Sequence, residues 1–295
     1  MISELLSIFE RDDPKSLKSI NQARAVDPQL FDAIGEQVLA TARKVFPEHS
    51  LADLAKAYSV FTFEQNWLQA KYDKTGKYTC DTHAAANSAV YQNNTVMSEY
   101  FAQLLLTQFL WPHHLEIVRF FRNKFVPQLK DNCQILEMAP GHGFYGRLIL
   151  EQKPHAQLLG VDISPFAITL ATKSAQVEGF ADRAVYQQGD ALQAGKFLPE
   201  CNAVIAGELL EHLDHPKQLM EAVSRQLTVG GRAFVTAAIT AAQIDHVYEF
   251  KNEAEVYALL EGLPLKLTDS LLVAPKTIRP GTIRIPRVLA MIFEK

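Results

Sequence analysis

Cysteine is scarce in this 295-residue chain, and the three present, Cys80, Cys133 and Cys201, lie far apart. That spacing argues against a disulfide framework. Cys133 opens one strand-like run and Cys201 precedes another, so buried free thiols are expected. Long apolar runs are missing too: none approaches the roughly 18 residues a membrane span needs. The opening stretch MISELLSIFERDD turns acidic before an apolar core forms, so no signal peptide is expected. A reducing, cytoplasmic setting follows as the expectation. Basic excess is absent, with a formal net charge of −4, so a general nucleic-acid partner is not expected. Cys80 and His83 have tolerable ligand spacing, but no second pair accompanies them, and no metal is expected. No internal repeat or low-complexity segment stands out.

What is present divides near Pro127 and the polar stretch Lys130-Asp131-Asn132. Before it the patterning is helical. Ile2, Leu5, Leu6 and Phe9 recur at helix spacing until Asp12-Asp13-Pro14 interrupts them. Ile34, Val38, Leu39, Ala42 and Val45 make a second stripe that ends near Pro47. Ser50 is placed to cap a helix through Leu51, Leu54, Ala57 and Tyr58. Phe61, Phe63, Trp67, Tyr72 and Tyr78 either pack this domain or wall an organic substrate. The polar stretch 71–95, with its Lys-Thr-Gly-Lys signal, is expected to be a loop or mobile segment. Helices follow over 96–109 and 115–125, with His113 and His114 as polar residues at a helix start.

From Cys133 onward, strand-like runs alternate with helical ones. Strands are expected at 133–139, 157–162, 184–188, 202–207, 231–238, 265–272 and 286–293, with helices near 144–152, 165–178, 216–226 and 252–262. Such alternation implies an α/β fold with parallel strands covered on both faces. Ligands in these sheets sit at the carboxyl ends of the strands.

The informative polar residues fall at those ends. The stretch 133–146, CQILEMAPGHGFYG, reads as strand, tight turn, helix. Gly141 and Gly143 let a ligand lie against the backbone, and the N–H groups of the next helix point into the same space. Asp162 ends the second run and can accept hydrogen bonds from a ribose diol; the alternative is a helix cap, because Ser164-Pro165 begin a helix. Asp190 lies in the turn after the third run. The fourth run ends at Glu208, with Glu211, His212 and His215 close behind. Gly230-Gly231 turn into the fifth, and Asp245, His246 and Tyr248 follow it. GHGFYG satisfies the dinucleotide pattern, so an NAD(P)-dependent oxidoreductase has to be weighed. Glu137, inside the first strand, argues against it: a carboxylate there repels a pyrophosphate and attracts an ammonium group.

Residues 133 to about 295 resemble the class I S-adenosylmethionine-dependent methyltransferases. The pieces that match are ILEMAPGHG, LLGVDIS, QQGDAL, VIAGELLEHL and LTVGGRAFVTAAI, in order and at family spacing. The central turn residue His142 and the preceding Pro140 are variants of the usual pattern. The resemblance implies a seven-stranded, mostly parallel, doubly wound sheet over 129–295 with an antiparallel last strand at 286–293, behind a helical cap and substrate domain over 1–128. It implies S-adenosylmethionine as cofactor and S-adenosylhomocysteine as product. Glu137 would hold the methionyl ammonium, Gly141 and Gly143 would admit the cofactor to the backbone, and Asp162 would bind the ribose. Ile163 would pack on the adenine, Asp190 and Ala191 would face its edge, and Glu208 would lie beside the methionine.

The reaction needs an acceptor aligned with the donor methyl, and a base if the acceptor starts protonated. His246 and His212 are the candidates, since both lie at strand carboxyl ends. A cap closing over a small organic acceptor accounts for the helical region, with Tyr91, Tyr100, Phe101 and Tyr248 as expected substrate contacts. Such an acceptor suits secondary metabolism. For the cap, the competing expectation is one that only stabilises or forms a homodimer; for the whole chain, it is a non-catalytic S-adenosylmethionine-binding or scaffold protein.

Overall fold

The computed structural model describes every residue except 197 and 279, and every side chain except these and those of 94–96 and 98–102. Seven helices come first: α1 (Ile2–Asp12), α2 (Pro14–Val26), α3 (Pro28–Val45), α4 (Leu51–Thr75), α5 (His83–Ala86), α6 (Asn94–Leu110) and α7 (Pro112–Phe120). Their starts are written in the sequence. Asp13 and Asp27 accept from the Ser16 and Leu30 amides, ahead of Pro14 and Pro28 at first helical positions. Ser50 and Asp53 form a reciprocal capping box.

The stretch 71–95 is mostly helical rather than a loop. α4 runs on to Thr75, because Tyr72 keeps the apolar stripe going into the core, and Gly76 then ends it in the left-handed region, φ 69°. Thr82 caps α5, and a wider π-type turn over Asn87–Tyr91 continues from it. His113 and His114 do open α7, but His113 stacks on Trp111 and His114 meets it edge-on.

The sheet holds β1 (Gln134–Met138), β2 (Gln157–Asp162), β3 (Ala184–Gln188), β4 (Cys201–Ala206), β5 (Leu227–Ile239), β6 (Lys266–Val273) and β7 (Arg287–Glu294), in the order β3-β2-β1-β4-β5-β7-β6. Only β7 runs antiparallel to its neighbours β5 and β6; the other pairings are parallel. The order reverses between β1 and β4, where a crevice must open at the strands' carboxyl ends. Helices α8 (Phe144–Gln152), α9 (Pro165–Val177), α10 (Lys217–Gln226) and α11 (Glu253–Tyr257) cover the faces. β5 starts earlier than expected, at Leu227: Gly230 (φ 75°) lies inside the strand rather than before it, beside a register shift against β4.

The cap has no core of its own. Phe31, Leu106, Phe109 and Phe121 belong to one continuous buried cluster with Ile135, Leu158, Ile205 and Phe234 of the sheet. Alternation along the strands then sets the sides. Leu136 and Met138 pack on the far face with Val204 and Val235, so Glu137, like Ile135, faces the cap. Cys133 and Cys201 are buried free thiols, and Cys80 is a half-buried one. Among the described residues, no helix is long and apolar enough to cross a membrane.

Candidate functional site

Between β1 and α8 the chain turns through three left-handed residues, Ala139 (φ 51°), Gly141 (φ 56°) and Gly143 (φ 67°). Gly143 has no alternative: besides its φ, a Cβ there would lie 2.6 Å from the Tyr186 hydroxyl. Ala139 holds a conformation that costs a residue with a Cβ energy, and such strain gathers at functional turns. The bend brings the start of α8 back over Glu137. Glu137 Oε1 accepts from the Gly146 amide at 3.1 Å. Its Oε2 is buried with no hydrogen-bond partner among the described residues. Burial pushes the Glu137 carboxyl up to about 7, against the opposing pull of the Gly146 amide and Arg147. Gly146 is a site residue that the sequence reading passed over: a Cβ on it would collide with Glu137 Oε2 and Leu158. Only the third glycine of GHGFYG allows the acid to stand where it does.

Asp162, at the end of β2, is 6% exposed. Its Oδ2 accepts from the Gly141 amide at 3.1 Å and its Oδ1 from Ser164 at 2.9 Å. The cap of α9 is Ser164, whose hydroxyl accepts from Ala167, so Asp162 serves the turn rather than the helix. Burial raises its carboxyl, and the amides of Ser164, Gly141 and Ile163 oppose that rise.

These groups face a cleft of about 1170 Å³, its open mouth included, between the strand ends and the cap. Glu137, Gly141, Asp162, Ile163, Glu208, His212 and His246 line it from the sheet side; Phe61, Tyr91, Gln108, Trp111 and His114 do so from the cap. Other expected contacts stand elsewhere. Asp190 and Ala191 are not in the lining; Asp190 is exposed and accepts from the Leu192 amide at 2.9 Å. Tyr248 packs on Phe250 with the far-face cluster. His215, expected near the strand end, is exposed. Tyr100 and Phe101 lie outside the described side chains.

The two histidines meet, with ring centroids 4.8 Å apart. His212 Nδ1 lies 3.1 Å from the Asp245 carbonyl oxygen and 2.8 Å from the Tyr91 hydroxyl, which donates to Asp245 Oδ2 at 3.1 Å. His246 Nδ1 lies 2.8 Å from the Ala241 carbonyl. A carbonyl only accepts, so both rings carry a proton on Nδ1, which in the neutral ring leaves the lone pair on Nε2. Burial, then His212, holds His246 down to about 3, so it is a neutral imidazole throughout the physiological range. Glu211 is fully buried; its Oε2 accepts from the Ala238 amide at 3.2 Å, and burial first, then Glu208, raises its carboxyl well above the usual range. Glu208 is left-handed (φ 49°) and gripped by Thr236, whose hydroxyl accepts from its amide at 2.7 Å and donates to its Oε1 at 2.5 Å.

The cap holds this end of the cleft in place. Gln69 Nε2 donates to the carbonyls of Thr240 (3.1 Å) and Arg284 (2.8 Å), and its Oε1 accepts from Ala242 at 3.0 Å. His83 Nδ1 reaches the His212 carbonyl at 2.9 Å. Nothing in the sequence pattern marks Gln69, a polar residue on an amphipathic helix.

Against known proteins, residues 129–273 match the family model described as a methyltransferase domain. An uncharacterized protein of Synechococcus sp. is 28% identical over 154 residues, 52% of this chain; the chain spans 35% of that relative's length. A crystal structure described as a sarcosine dimethylglycine methyltransferase from Galdieria sulphuraria superposes with a TM-score of 0.52 at 12% identity, over 62% of this chain and 86% of its own. A [4+2]-cyclase, SpnF, superposes with 0.51 at 14% identity, over 61% of this chain and 80% of its own. At these identities the likeness is one of fold. With the strand order and the glycine turn already in place, the matching family model identifies residues 129–273 as a methyltransferase domain with the class I sheet.

Proposed function

We propose that this chain moves the methyl group of S-adenosylmethionine to a small organic acceptor held under the helical cap, in a biosynthetic, secondary-metabolic setting. Glu137 Oε2 carries the reading: a buried carboxylate oxygen on the cleft wall, without a hydrogen-bond partner among the described residues, calls for a cationic donor. An amino-acid ammonium answers it, and a dinucleotide pyrophosphate does not. Asp162 keeps lone pairs beyond those its two backbone donors use, enough to accept from a pair of ribose hydroxyls. Ile163 offers apolar surface for a base, and Gly141, in the lining, lets the ligand's chain lie close, while Gly143 makes room for Tyr186 behind the turn. When bound, the cofactor supplies an electrophilic methyl group on a sulfonium.

The other end of the cleft receives the acceptor. From the cap, Phe61 and Trp111 stack with centroids 5.7 Å apart and offer the cleft an aromatic wall, while Gln108 supplies a polar group for orientation. The Nε2 lone pairs of His212 and His246 face the place where an acceptor's N–H or O–H must sit, and there a proton can be received. A small acceptor is favoured over a macromolecule because the cap covers this end.

Calorimetry on the purified full chain tests the proposal. S-adenosylmethionine and S-adenosylhomocysteine should bind in the micromolar range with one site, and NAD should not. Binding of NAD in preference, or of neither sulfur compound, overturns it.

A further inference from the structure

Glu211, His212 and His246 come together from two separate loops, and their ligating atoms all lie within 4.8 Å of one another. Glu211 Oε1 is buried with no hydrogen-bond partner among the described residues. His212 Nε2 lies 4.0 Å from it. That is beyond hydrogen-bond reach, about 3.2 Å, so a proton on either atom does not bridge them. Each imidazole has its Nδ1–H committed to a backbone carbonyl, Asp245 for His212 and Ala241 for His246. The two imidazole N–H groups therefore point away, and with Glu211 ionised three electron-pair donors converge on one point.

We propose that this point is a site for a divalent transition-metal ion, bound by Glu211 Oε1, His212 Nε2 and His246 Nε2, with its open position toward the cleft. Metal bonds of about 2.0–2.2 Å to nitrogen and oxygen span up to about 4.2 Å between opposite ligands. The 4.0 Å pair already fits, and the widest separation, 4.8 Å, closes by less than an ångström through rotation of a ring. Two imidazoles and one carboxylate select zinc, iron or manganese over magnesium and calcium, which take oxygen ligands. The surroundings match what metal-binding histidines need: carbonyls fix both tautomers, and Tyr91 and Asp245 brace His212 from the cap and the loop. His212 and His246 line the cleft, so the vacant coordination positions open onto it. An acceptor hydroxyl bound there loses its proton more easily. That last step rests on the methyl-transfer reading: with the ion bound, His212 would act as ligand and the acceptor's proton would pass to water at the open mouth of the cleft. The site itself does not depend on that reading.

The experiment is a cobalt titration of the chelator-stripped full chain, followed by visible absorption. One Co²⁺ per chain should bind and develop the d–d bands of a nitrogen- and oxygen-ligated ion, with Mg²⁺ unable to displace it. Glu211→Gln and His246→Gln should weaken Co²⁺ binding by more than about 100-fold. Tyr91→Phe, on the cap and outside the buried core, should weaken it by about 10-fold, the scale of outer-shell changes. Absence of the bands in the wild type, or wild-type affinity in folded Glu211→Gln or in Tyr91→Phe, overturns the site. S-adenosylmethionine affinity is measured on the same stripped and loaded samples. Lost cofactor binding with intact Co²⁺ binding sinks the methyl-transfer reading alone; the reverse result sinks the cation site alone.

Discussion

The two ends of the cleft are built in different ways. At the glycine-turn end, the working groups come from short contiguous stretches at the ends of β1 and β2, and main-chain amides hold each acid: Gly146 for Glu137, Gly141 and Ser164 for Asp162. At the histidine end, side chains distant in sequence hold one another and the loop backbone. Tyr91 of the cap, His212 after β4 and Asp245 after β5 brace one another, and Gln69 of α4 pins the loop that carries His246. A site made of backbone is set by local turn chemistry. One made of tertiary contacts depends on the cap being docked, so the two ends should fail separately.

Removing the acid of the first end should have the largest effect. Glu137→Gln keeps the shape and the acceptor for Gly146, but loses the charge. A hydrogen bond to a charged group is worth about 1.5–3 kcal/mol, so S-adenosylmethionine affinity should fall about 10- to 100-fold by calorimetry, with the fold intact by circular dichroism. The pH dependence follows from the same residue. Burial places the Glu137 carboxyl at about 7 in the free protein, so it is protonated below that pH and ionised above. An ammonium ligand needs the carboxylate; affinity should drop by up to about tenfold per pH unit below 7 and level off above it. The sign reverses for the unliganded fold. The native state holds this proton more tightly than the unfolded chain, where the group titrates near about 4.3. The stability gained is therefore full below that value and lost as pH rises through about 7. A pH-independent affinity would show that another group meets the ammonium.

Gln69→Ala attacks the second end alone. Its amide makes three hydrogen bonds, buried ones to Thr240 and Ala242 and a part-buried one to Arg284. Deleting it strands those partners at a cost of about 2–3 kcal/mol. Hydrogen exchange of the backbone amides over 240–247 should quicken by about 30-fold or more, since each 1.4 kcal/mol of local opening is a factor of ten. S-adenosylmethionine affinity should stay within twofold. Loss of cofactor binding in this variant would mean that the two ends are one cooperative unit and that the contrast drawn between them is wrong.

The same contrast explains what was legible in the sequence. Apolar runs bounded by turns located all seven strands within a few residues; in the central strands β1, β4 and β5 the run is nearly continuous because both faces of the sheet are covered there. The exception in extent, β5, begins at Leu227 because a glycine pair can sit inside a strand as an irregularity as readily as before it. Glu137, Gly141, Gly143 and Asp162 were readable because backbone turns have local spacing rules. Gly146 was missed because its role is to leave room for another residue's side chain. The histidine end was readable only as residue types near strand ends. That His246 would be buried against His212 while His215 pointed to solvent is decided by how the loop after β5 docks under α4, and no local period encodes that docking. The stretch 71–95 misled for a related reason: its polar composition says loop, but Tyr72 is anchored on Glu249 and under the Arg284 guanidinium, and His83 on the His212 carbonyl, so tertiary contacts impose the helical turns.

The smallest effect sharpens the turn end itself. The family resemblance gives Asp190 the adenine edge, yet this side chain is exposed, stands outside the cleft lining and is already occupied as acceptor for the Leu192 amide. In Asp190→Asn the amide oxygen can still accept from Leu192, so the turn should hold. If the ligand's base ends at Ile163, within the lining, cofactor affinity should change by less than about threefold, an energy within the ±0.5 kcal/mol or so typical of surface substitutions. Asp162→Asn, which alters the buried acid that grips the turn, should cost about tenfold in the same titration, consistent with loss of a charge-assisted contact. Equal losses in the two variants would place the base past Ile163 and against Asp190, and would extend the backbone-built end of the cleft to the turn after β3.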